Sequence, residues 1–372
     1  MESTGPQAMS GQQGRVAPDR PRYLFSPVSG PNGAGELMRC LIIARELVRA
    51  QPEAEIHFLV SRTAVFREAV EFPIHDCDAS PTRSTAQVLA AIREFAPHVV
   101  VFDNSGRTAQ LKAAREAGAR TVFSSRAPHL RRKAFRLKWM RLLDEHWIVF
   151  PVFITGGLGW YDRLKLRWFP RYRLRCLDTL FPPSDPGARL DCLARHGLQA
   201  GTYTLFVPGG RSEASRVTEP TELFIAAARE YVADAGEPAV VLTGRPEAPS
   251  VVGSAGPRLL PRVALEEVQH LLAAAKLVVS NGGTTMVHAL AHGRPLVAVP
   301  LASDQTRRIR LAVQLGVAAT APHSPQAIAT EAAALLRDAP RRAQMTGRIA
   351  ELGIANGVAE AVAALIALAR RP

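Results

Sequence analysis

The chain has 372 residues, of which 47% are hydrophobic, and a formal net charge of +13. This length and apolar content are ample for two domains. Strand-like and helix-like runs alternate along the chain, which predicts parallel sheets in two Rossmann-like halves. The apolar stretch 147–160 has 14 residues and contains Pro151. Because a helix needs about 20 apolar residues to cross a bilayer, a membrane span is excluded there.

Residues 1–20 are rich in Gly, Gln, Ser and Pro and are predicted to form a disordered tail. They lack the apolar core of a secretory signal, so export is not expected. The four cysteines are widely spaced in apolar settings, which predicts the reduced thiols of a cytoplasmic protein. They are Cys40, Cys77, Cys176 and Cys192.

A glycine loop lies near the amino end. Tyr23–Val28 is a predicted first strand, the loop after it contains Gly33 and Gly35, and a helix with apolar residues at helical spacing begins at Glu36. A glutamate at a helix start has two interpretations. It is either an ordinary acid stabilised by the helix dipole or a catalytic base in a water-poor cleft.

A second acidic residue follows another strand. Residues 99–102 form an apolar β-branched run, and Asp103 comes directly after it. Ligand contacts in open α/β sheets lie at this carboxyl end of the strands, which makes Asp103 the next candidate base. The favoured alternative is that Asp103 caps the helix predicted to begin near Thr108.

Positive charge is concentrated in residues 126–175. This segment holds ten Arg and three Lys against three acidic residues, together with all four tryptophans. Residues 131–143 predict one amphipathic helix with Phe135 and Trp139 on its apolar face. Such a helix suits an anionic membrane surface, and the alternative is that its aromatic stripe packs into the core. A nucleic-acid partner is not expected, because no nucleic-acid-binding module is recognisable.

Another glycine loop lies at the start of the second half of the chain. The strand Tyr203–Val207 is followed by Gly209, Gly210 and Arg211. A further predicted strand ends at Thr243, which places this side chain near the same edge of the sheet.

The most informative segment runs from 278 to 305. An apolar strand ends at Ser280, and Gly282 and Gly283 then allow a tight turn. Thr284 and Thr285 open a helix. A helix start presents unpaired N–H groups and the positive end of a dipole, which suits a diphosphate.

After one more strand, Asp304 and Gln305 come at the carboxyl end, where two polar side chains suit sugar hydroxyls. The chain contains no D-x-D pair and no Cys/His spacing of the zinc type. No metal site is therefore predicted.

Together these segments resemble the GT-B glycosyltransferases. The likeness is to the family 28-like group that contains the N-acetylglucosaminyltransferase completing lipid II, and to the related UDP-sugar hydrolase of pseudaminic acid synthesis. It is strongest over residues 200–320, and moderate over 21–50. The spacing that carries it is formed by Gly282, Gly283, Thr285, Gly293 and Pro295. His288 replaces a ribose-binding Glu of the family, and Glu36 stands where both relatives have a His.

The resemblance implies two Rossmann-like domains whose parallel sheets face each other across a cleft. Residues 21–180 would bind the acceptor and residues 188–372 the donor, with the boundary in the Pro- and Gly-rich stretch 181–187. The last helix would cross back to brace the first domain. Glu36 would be the general base, in similarity to the Kdo transferases, and Arg211 would pair with the leaving diphosphate. The implied donor-binding residues are Gly33, Gly35, Gly209, Gly210, Arg211, Thr243, Gly282, Gly283, Thr284, Thr285, His288, Asp304 and Gln305.

The sequence thus predicts a metal-independent, inverting glycosyltransferase without a cofactor. Its donor would be a UDP-sugar, and its acceptor a hydroxyl group on an apolar or lipid-linked molecule. Its place would be the cytoplasm, peripheral on the inner face of the cell membrane. Three alternatives stay open: a nucleotide-sugar hydrolase, a UDP-sugar 2-epimerase, whose extra carboxylate and His set is not seen, and a non-catalytic binding protein.

Overall fold

The computed structural model describes residues 20–29, 35–209, 219–247 and 256–370. Of the predicted site residues, Gly33, Gly210 and Arg211 lie outside these ranges, as does nearly all of the predicted tail.

Apolar, β-branched runs form two parallel sheets whose central strands are buried on both faces. The first sheet has the strand order β3-β2-β1-β4-β5-β6-β7 and the second β10-β9-β8-β11-β12-β13. The first seven strands are β1 Arg22–Pro27, β2 Glu55–Ser61, β3 Ile74–Cys77, β4 Val99–Asp103, β5 Arg120–Ser125, β6 Glu145–Ile148 and β7 Arg173–Cys176. The remaining strands are β8 Thr204–Val207, β9 Ala239–Leu242, β10 Arg258–Leu260, β11 Leu277–Asn281, β12 Leu296–Val299 and β13 Ala319–Thr320.

Helices connect the strands, as the alternating pattern predicted. Those up to the second sheet are α1 Gly35–Ala50, α2 Thr85–Phe95, α3 Thr108–Glu116, α4 Pro128–Ala134, α5 Leu137–Met140, α6 Val152–Thr155, α7 Trp160–Trp168 and α8 Pro186–Arg195. Those that follow are α9 Pro220–Ala235, α10 Leu265–Ala274, α11 Thr284–Ala291, α12 Ser303–Gln314, α13 Pro325–Arg337, α14 Ala339–Leu352 and α15 Val358–Ala369. A short 3-10 helix covers Arg67–Ala69.

The strand order reverses once in each sheet, between β1 and β4 in the first and between β8 and β11 in the second. Crevices at such reversal points, outside the carboxyl ends of the strands, are where open α/β sheets bind ligands. The residues after β1, β4, β8 and β11 are therefore the ones that the topology brings to a binding edge.

The last helix returns to the first sheet, as the resemblance implied. Helix α15 packs against α1, and Glu360 on it forms an ion pair with Arg175 of β7 at 3.0 Å. The N–H of Gly357 donates to the Thr179 carbonyl at 2.9 Å. A Cβ at Gly357 would lie 2.5 Å from the Leu177 carbonyl oxygen, so only glycine permits this approach.

The predicted single amphipathic helix over 131–143 is wrong. Arg136 has an extended backbone and divides the segment into α4 and α5. Phe135 and Trp139 are each 2% exposed, and the Trp139 ring meets Phe123 edge-on at 5.1 Å between centroids. The aromatic stripe thus packs into the core. The sequence could not distinguish the two cases, because apolar side chains have the same helical spacing whether a membrane or the protein interior covers them. Within the described ranges, no helix has the length and apolarity needed to cross a bilayer.

A fully buried histidine lies at the centre of this aromatic core. His146 on β6 contacts the Ser125 hydroxyl through Nε2 at 2.7 Å and the Tyr172 hydroxyl through Nδ1 at 2.6 Å. Burial, with a smaller contribution from the Arg131 charge, lowers the pKa of His146 to about 3. The imidazole is therefore neutral in the folded protein at neutral pH.

This burial makes stability depend on pH in a defined direction. In the unfolded chain, His146 takes up a proton near its ordinary pKa of about 6.5, whereas the folded protein does not. The free energy of unfolding should fall as pH drops below about 6.5, and this residue alone should remove about 2 kcal/mol by about pH 5. Urea unfolding at about pH 7.5 and pH 5 should show a smaller loss for His146→Asn than for wild type. His129→Asn, at an exposed site, is the control, and an equal loss in His146→Asn and wild type would contradict the assignment.

Candidate functional site

One side chain joins the loops at the reversal point of the second sheet. The Asn281 Nδ2 group donates to the Pro208 carbonyl at 2.8 Å, and Asn281 Oδ1 accepts from the Gly283 N–H at 2.9 Å. Gly209 lies beside it with a φ of +77°, and a Cβ there would be 2.3 Å from Asn281 Nδ2. Asn281 was not among the predicted site residues. Its position between a buried strand and two glycines was the signal that could have identified it.

Helix α11 begins directly after this junction, with Gly283 as its N-cap residue and no side-chain hydrogen bond at the cap. The Gly282 N–H donates to Gln305 Oε1 at 3.3 Å, and the Gly283 N–H is held by Asn281. Within the described part of the chain, the first backbone N–H groups of this turn that are left for an outside ligand are therefore those of Thr284 and Thr285. The expectation that the glycine amides themselves would hold a ligand is corrected, because the protein already uses them.

The glycines instead allow a close approach between elements. A Cβ at Gly282 would lie 2.7 Å from Ile309 of α12, and a Cβ at Gly283 would lie 2.8 Å from Asn281 Oδ1. Both distances are too short for a carbon atom. The absence of side chains here brings α12 against the start of α11.

Gln305 and Asp304 begin α12 and behave differently. Gln305 is buried, and its Oε1 accepts from the backbone of Gly282 and, at 3.0 Å, of Leu301. This oxygen braces two turns of the protein, and the sugar contact of Gln305 stays a prediction. The Asp304 side chain is 54% exposed and forms an ion pair with Arg308 one turn later.

Arg308 connects the two sheets. Its Nη1 donates to the Gly282 carbonyl at 2.9 Å, and its guanidinium carbon lies 5.3 Å from the ring centroid of Phe150, which follows β6. Arg45 on α1 also approaches Glu266 on α10, at 3.7 Å. The turn before α11 and the residue that follows β6 thus come together at Arg308.

Glu36 belongs to the first half of the chain and lies in the first turn of α1 after Gly35. Its carboxylate contacts Arg126 Nε at 2.5 Å, and its side chain is 13% exposed against 48% for Arg126. The residues follow β1 and β5, whose carboxyl ends lie on the same edge of the first sheet.

Asp103 is neither a free base nor a helix cap. Both of its carboxylate oxygens accept from Arg39, Nε at 2.7 Å and Nη2 at 2.9 Å, and both side chains are buried. Helix α3 has Arg107 at its N-cap position and no side-chain cap. Burial disfavours the Arg39 charge, but the Asp103 carboxylate outweighs it and raises the pKa of Arg39. The pair fixes the start of α1, and with it Glu36, to the end of β4.

Solved structures match nearly the whole chain. The spinosyn forosaminyltransferase SpnP gives a TM-score of 0.63 at 17% identity, covering 94% of this chain and 100% of that one. CalG4, the calicheamicin glycosyltransferase, gives 0.61 at 17% identity, with 94% and 98% covered. UGT2 of Phytolacca americana, complexed with UDP-2-fluoroglucose and pterostilbene, gives 0.62 at 13% identity, with 94% and 100% covered.

The chain has the GT-B fold. The predicted fold class is thereby confirmed. No protein-family model and no curated protein sequence matches the chain, so these comparisons establish the fold alone. The particular likeness to the family 28-like group remains a prediction.

His288, at the position where the resemblance implied a ribose-binding Glu, is half-buried on α11. Its Nδ1 is 3.2 Å from Gln269 Nε2, and its ring packs edge-on against Phe181 at 5.0 Å between centroids. Burial, reinforced by the neighbouring His292, lowers the pKa of His288 to about 3. The ring is neutral, and Gln269 and Phe181 determine its orientation.

Thr243 is a structural residue of this GT-B fold. It is buried, its hydroxyl donates to the Leu260 carbonyl at 2.9 Å, and the same oxygen accepts from Arg245 N–H at 3.3 Å. Its hydroxyl holds the loop after β9, and its place near the nucleotide stays a prediction.

One group of potential metal ligands occurs among the described residues. Donor atoms of Cys192, His196 and Glu267 lie within 4.8 Å of one another, on α8, just after it and on α10. Glu267 already pairs with Arg195 at 2.7 Å, which balances its charge without an ion. The sequence could not reveal this group, because its members come from two separate helices.

The buried pair of α1 and β4 gives a stability prediction. Arg39→Met would leave the Asp103 carboxylate buried without its partner and should cost about 3–5 kcal/mol of unfolding free energy. The double variant Arg39→Met/Asp103→Leu should recover most of that loss, because no uncompensated charge remains. Arg49→Met, at a position whose side chain is 64% exposed on the same helix, is the matched control. Urea unfolding measures all four proteins, and a stable Arg39→Met variant would refute the structural role.

Proposed function

We propose that this chain is a metal-independent, inverting glycosyltransferase that moves a sugar from a nucleotide-sugar donor, a UDP-sugar, to an acceptor hydroxyl. The observation that carries the proposal is the opening of α11, without a side-chain cap, at the reversal point of the second sheet. The Arg126 charge of the Glu36–Arg126 pair acts on Arg308, which contacts the Gly282 carbonyl just before this opening. A diphosphate fits this helix start because unpaired N–H groups and the dipole both favour negative charge.

The proposed donor is a UDP-sugar. UGT2 of Phytolacca americana binds UDP-2-fluoroglucose, and a UDP-glucose:anthocyanidin 3-O-glucosyltransferase with 12% identity to this chain is complexed with UDP. In this chain the diphosphate would lie on the amides of Thr284 and Thr285. The sugar would extend toward the start of α12, where Asp304 is exposed.

Glu36 would act as the general base. Its carboxylate would take the proton of the acceptor hydroxyl, the oxygen would attack the anomeric carbon, and the bond from that carbon to the diphosphate oxygen would break. Attack opposite to the leaving group inverts the anomeric configuration. The diphosphate would carry its negative charge to the helix opening, where fixed N–H dipoles stabilise it.

Replacing the proposed base tests the mechanism. UDP at 100 times its dissociation constant should add about 2.7 kcal/mol of stability, so thermal-shift screening first identifies the nucleotide. Glu36→Gln should then lower turnover roughly 10²- to 10⁴-fold while UDP binding persists. Glu53→Gln, at an exposed position of the same half, is the control.

Product analysis separates transfer from hydrolysis and tests inversion. The proposed transferase forms a glycoside of inverted configuration, and only when the acceptor is present. Its activity should be the same with and without a chelator, because the proposed mechanism uses no metal. Release of UDP and free sugar in equal amounts without acceptor would favour a nucleotide-sugar hydrolase. Undiminished turnover by Glu36→Gln would remove the base assignment.

We further propose a lipid-linked or apolar acceptor and a peripheral place at an anionic membrane. The support comes from α7 and not from the predicted helix at 131–143. Helix α7 has no buried residue, and Trp160 and Trp168 on it are 78% and 61% exposed. Arg163 and Arg167 lie exposed on the same helix. Aromatic rings and cations together favour the headgroup region of anionic lipids.

Vesicle sedimentation tests this surface. Trp160→Ser/Trp168→Ser should weaken binding to phosphatidylglycerol vesicles at least about tenfold, equivalent to 1.4 kcal/mol, because two interfacial aromatics are lost. UDP affinity should not change. The control is Leu190→Ser/Leu315→Ser, which removes two exposed leucines elsewhere. Equal binding by the tryptophan variant and wild type would contradict the membrane proposal.

A further inference from the structure

We propose that Arg308 binds the leaving diphosphate of the donor and stabilises its charge as the glycosidic bond breaks. This inference rests on the proposed transferase function and assigns a residue to the same site. No sequence pattern identified Arg308, whereas the expected cation, Arg211, lies outside the described residues.

The position of the guanidinium is the first argument. Arg308 Nη1 is 2.9 Å from the carbonyl oxygen of Gly282, and Gly283 directly after it is the N-cap residue of α11. The cation therefore lies beside the helix opening on which the diphosphate is proposed to bind. Phe150 supports the guanidinium from the first sheet, with 5.3 Å between the guanidinium carbon and the ring centroid.

The charge of Arg308 is the second argument. Its side chain is only 17% exposed, while its partner Asp304 is 54% exposed. Burial lowers the pKa of Arg308, and the charge of Arg126 lowers it further, so that Asp304 does not fully compensate. A half-buried cation that is incompletely paired gains stability when an anion arrives.

Donor capacity is the third argument. A guanidinium has five N–H groups, and the hydrogen-bond partners of Arg308 in the described part of the chain are Gly282 and Asp304 alone. The remaining N–H groups can bind phosphate oxygens in the geometry that favours Arg in phosphate recognition. No proton transfer is needed, because Arg308 stays charged while the leaving diphosphate takes the electron pair of the broken bond.

Calorimetric titration with UDP, with uridine as the uncharged probe, tests the inference. Arg308→Gln should weaken UDP binding about 10- to 100-fold, the range of a lost charge-assisted hydrogen bond, and should leave uridine binding unchanged. Arg310→Gln, at an exposed position of the same helix, is the matched control and should bind UDP as wild type does. Arg308→Met, whose flexible chain keeps packing against Phe150, serves if the Gln variant does not fold.

A variant of Asp304 provides an independent test. Asp304→Asn should tighten UDP binding a few-fold, because it frees Arg308 and removes a negative charge from the site. Weaker UDP binding by Asp304→Asn, or UDP binding by both Arg308 variants equal to wild type, would overturn the role of Arg308 and leave the transferase proposal intact. Failure of wild type to bind any nucleotide would instead remove the proposed function and this inference with it.

Discussion

The side-chain amide of Asn281 fixes the two loops at the reversal point of the second sheet, and the proposed donor site depends on them. It binds the loop after β8 through the Pro208 carbonyl and the turn before α11 through the Gly283 N–H. Because both glycine amides of the turn are used internally, the free positive end of the helix begins one residue later. The protein thereby places a helix opening without a side-chain cap at the point where its second sheet reverses order. Such a helix start favours an anion, because its unpaired N–H groups and the positive end of its dipole both attract negative charge.

Three carboxylate–arginine pairs distribute charge around that opening, and their burial separates their roles. Arg39 and Asp103 are both buried, so their pair joins α1 to β4 and offers nothing to a ligand. Glu36 with Arg126, and Asp304 with Arg308, each keep one member exposed, namely Arg126 and Asp304. These two pairs come from opposite sheets. In the proposed mechanism their less exposed members would divide the chemistry: Glu36 would accept the acceptor proton and Arg308 would bind the leaving diphosphate.

The sequence was informative wherever backbone geometry alone determined the outcome. Glycine after a buried apolar strand predicted the turn before α11, and the alternation of elements predicted the two parallel sheets. The hydrogen-bond partners of individual side chains were harder to predict from the sequence. Gln305 and Thr243 looked available because their hydrogen bonds go to backbone groups that only the folded chain brings near. Arg308 carried no signal, since its partner Phe150 lies far away in sequence.

Two further errors have the same physical origin. Phe135 and Trp139 have the spacing of an interfacial helix, but that spacing is identical for a stripe that packs into a core. Trp160 and Trp168 of α7 belong to the same predicted basic aromatic segment, but the sequence did not show that they are its exposed members. Asp103 lies at the strand end where ligand contacts occur, and only the structure shows that Arg39 occupies both of its oxygens.

The most direct test of the account follows the backbone amides of the second half by NMR during titration with UDP and, separately, with uridine. The account predicts that the Thr284 and Thr285 amide resonances shift strongly with UDP and little with uridine, because the diphosphate lies on those N–H groups. Unchanged Thr284 and Thr285 resonances at saturating UDP, or equal shifts with uridine, would contradict it.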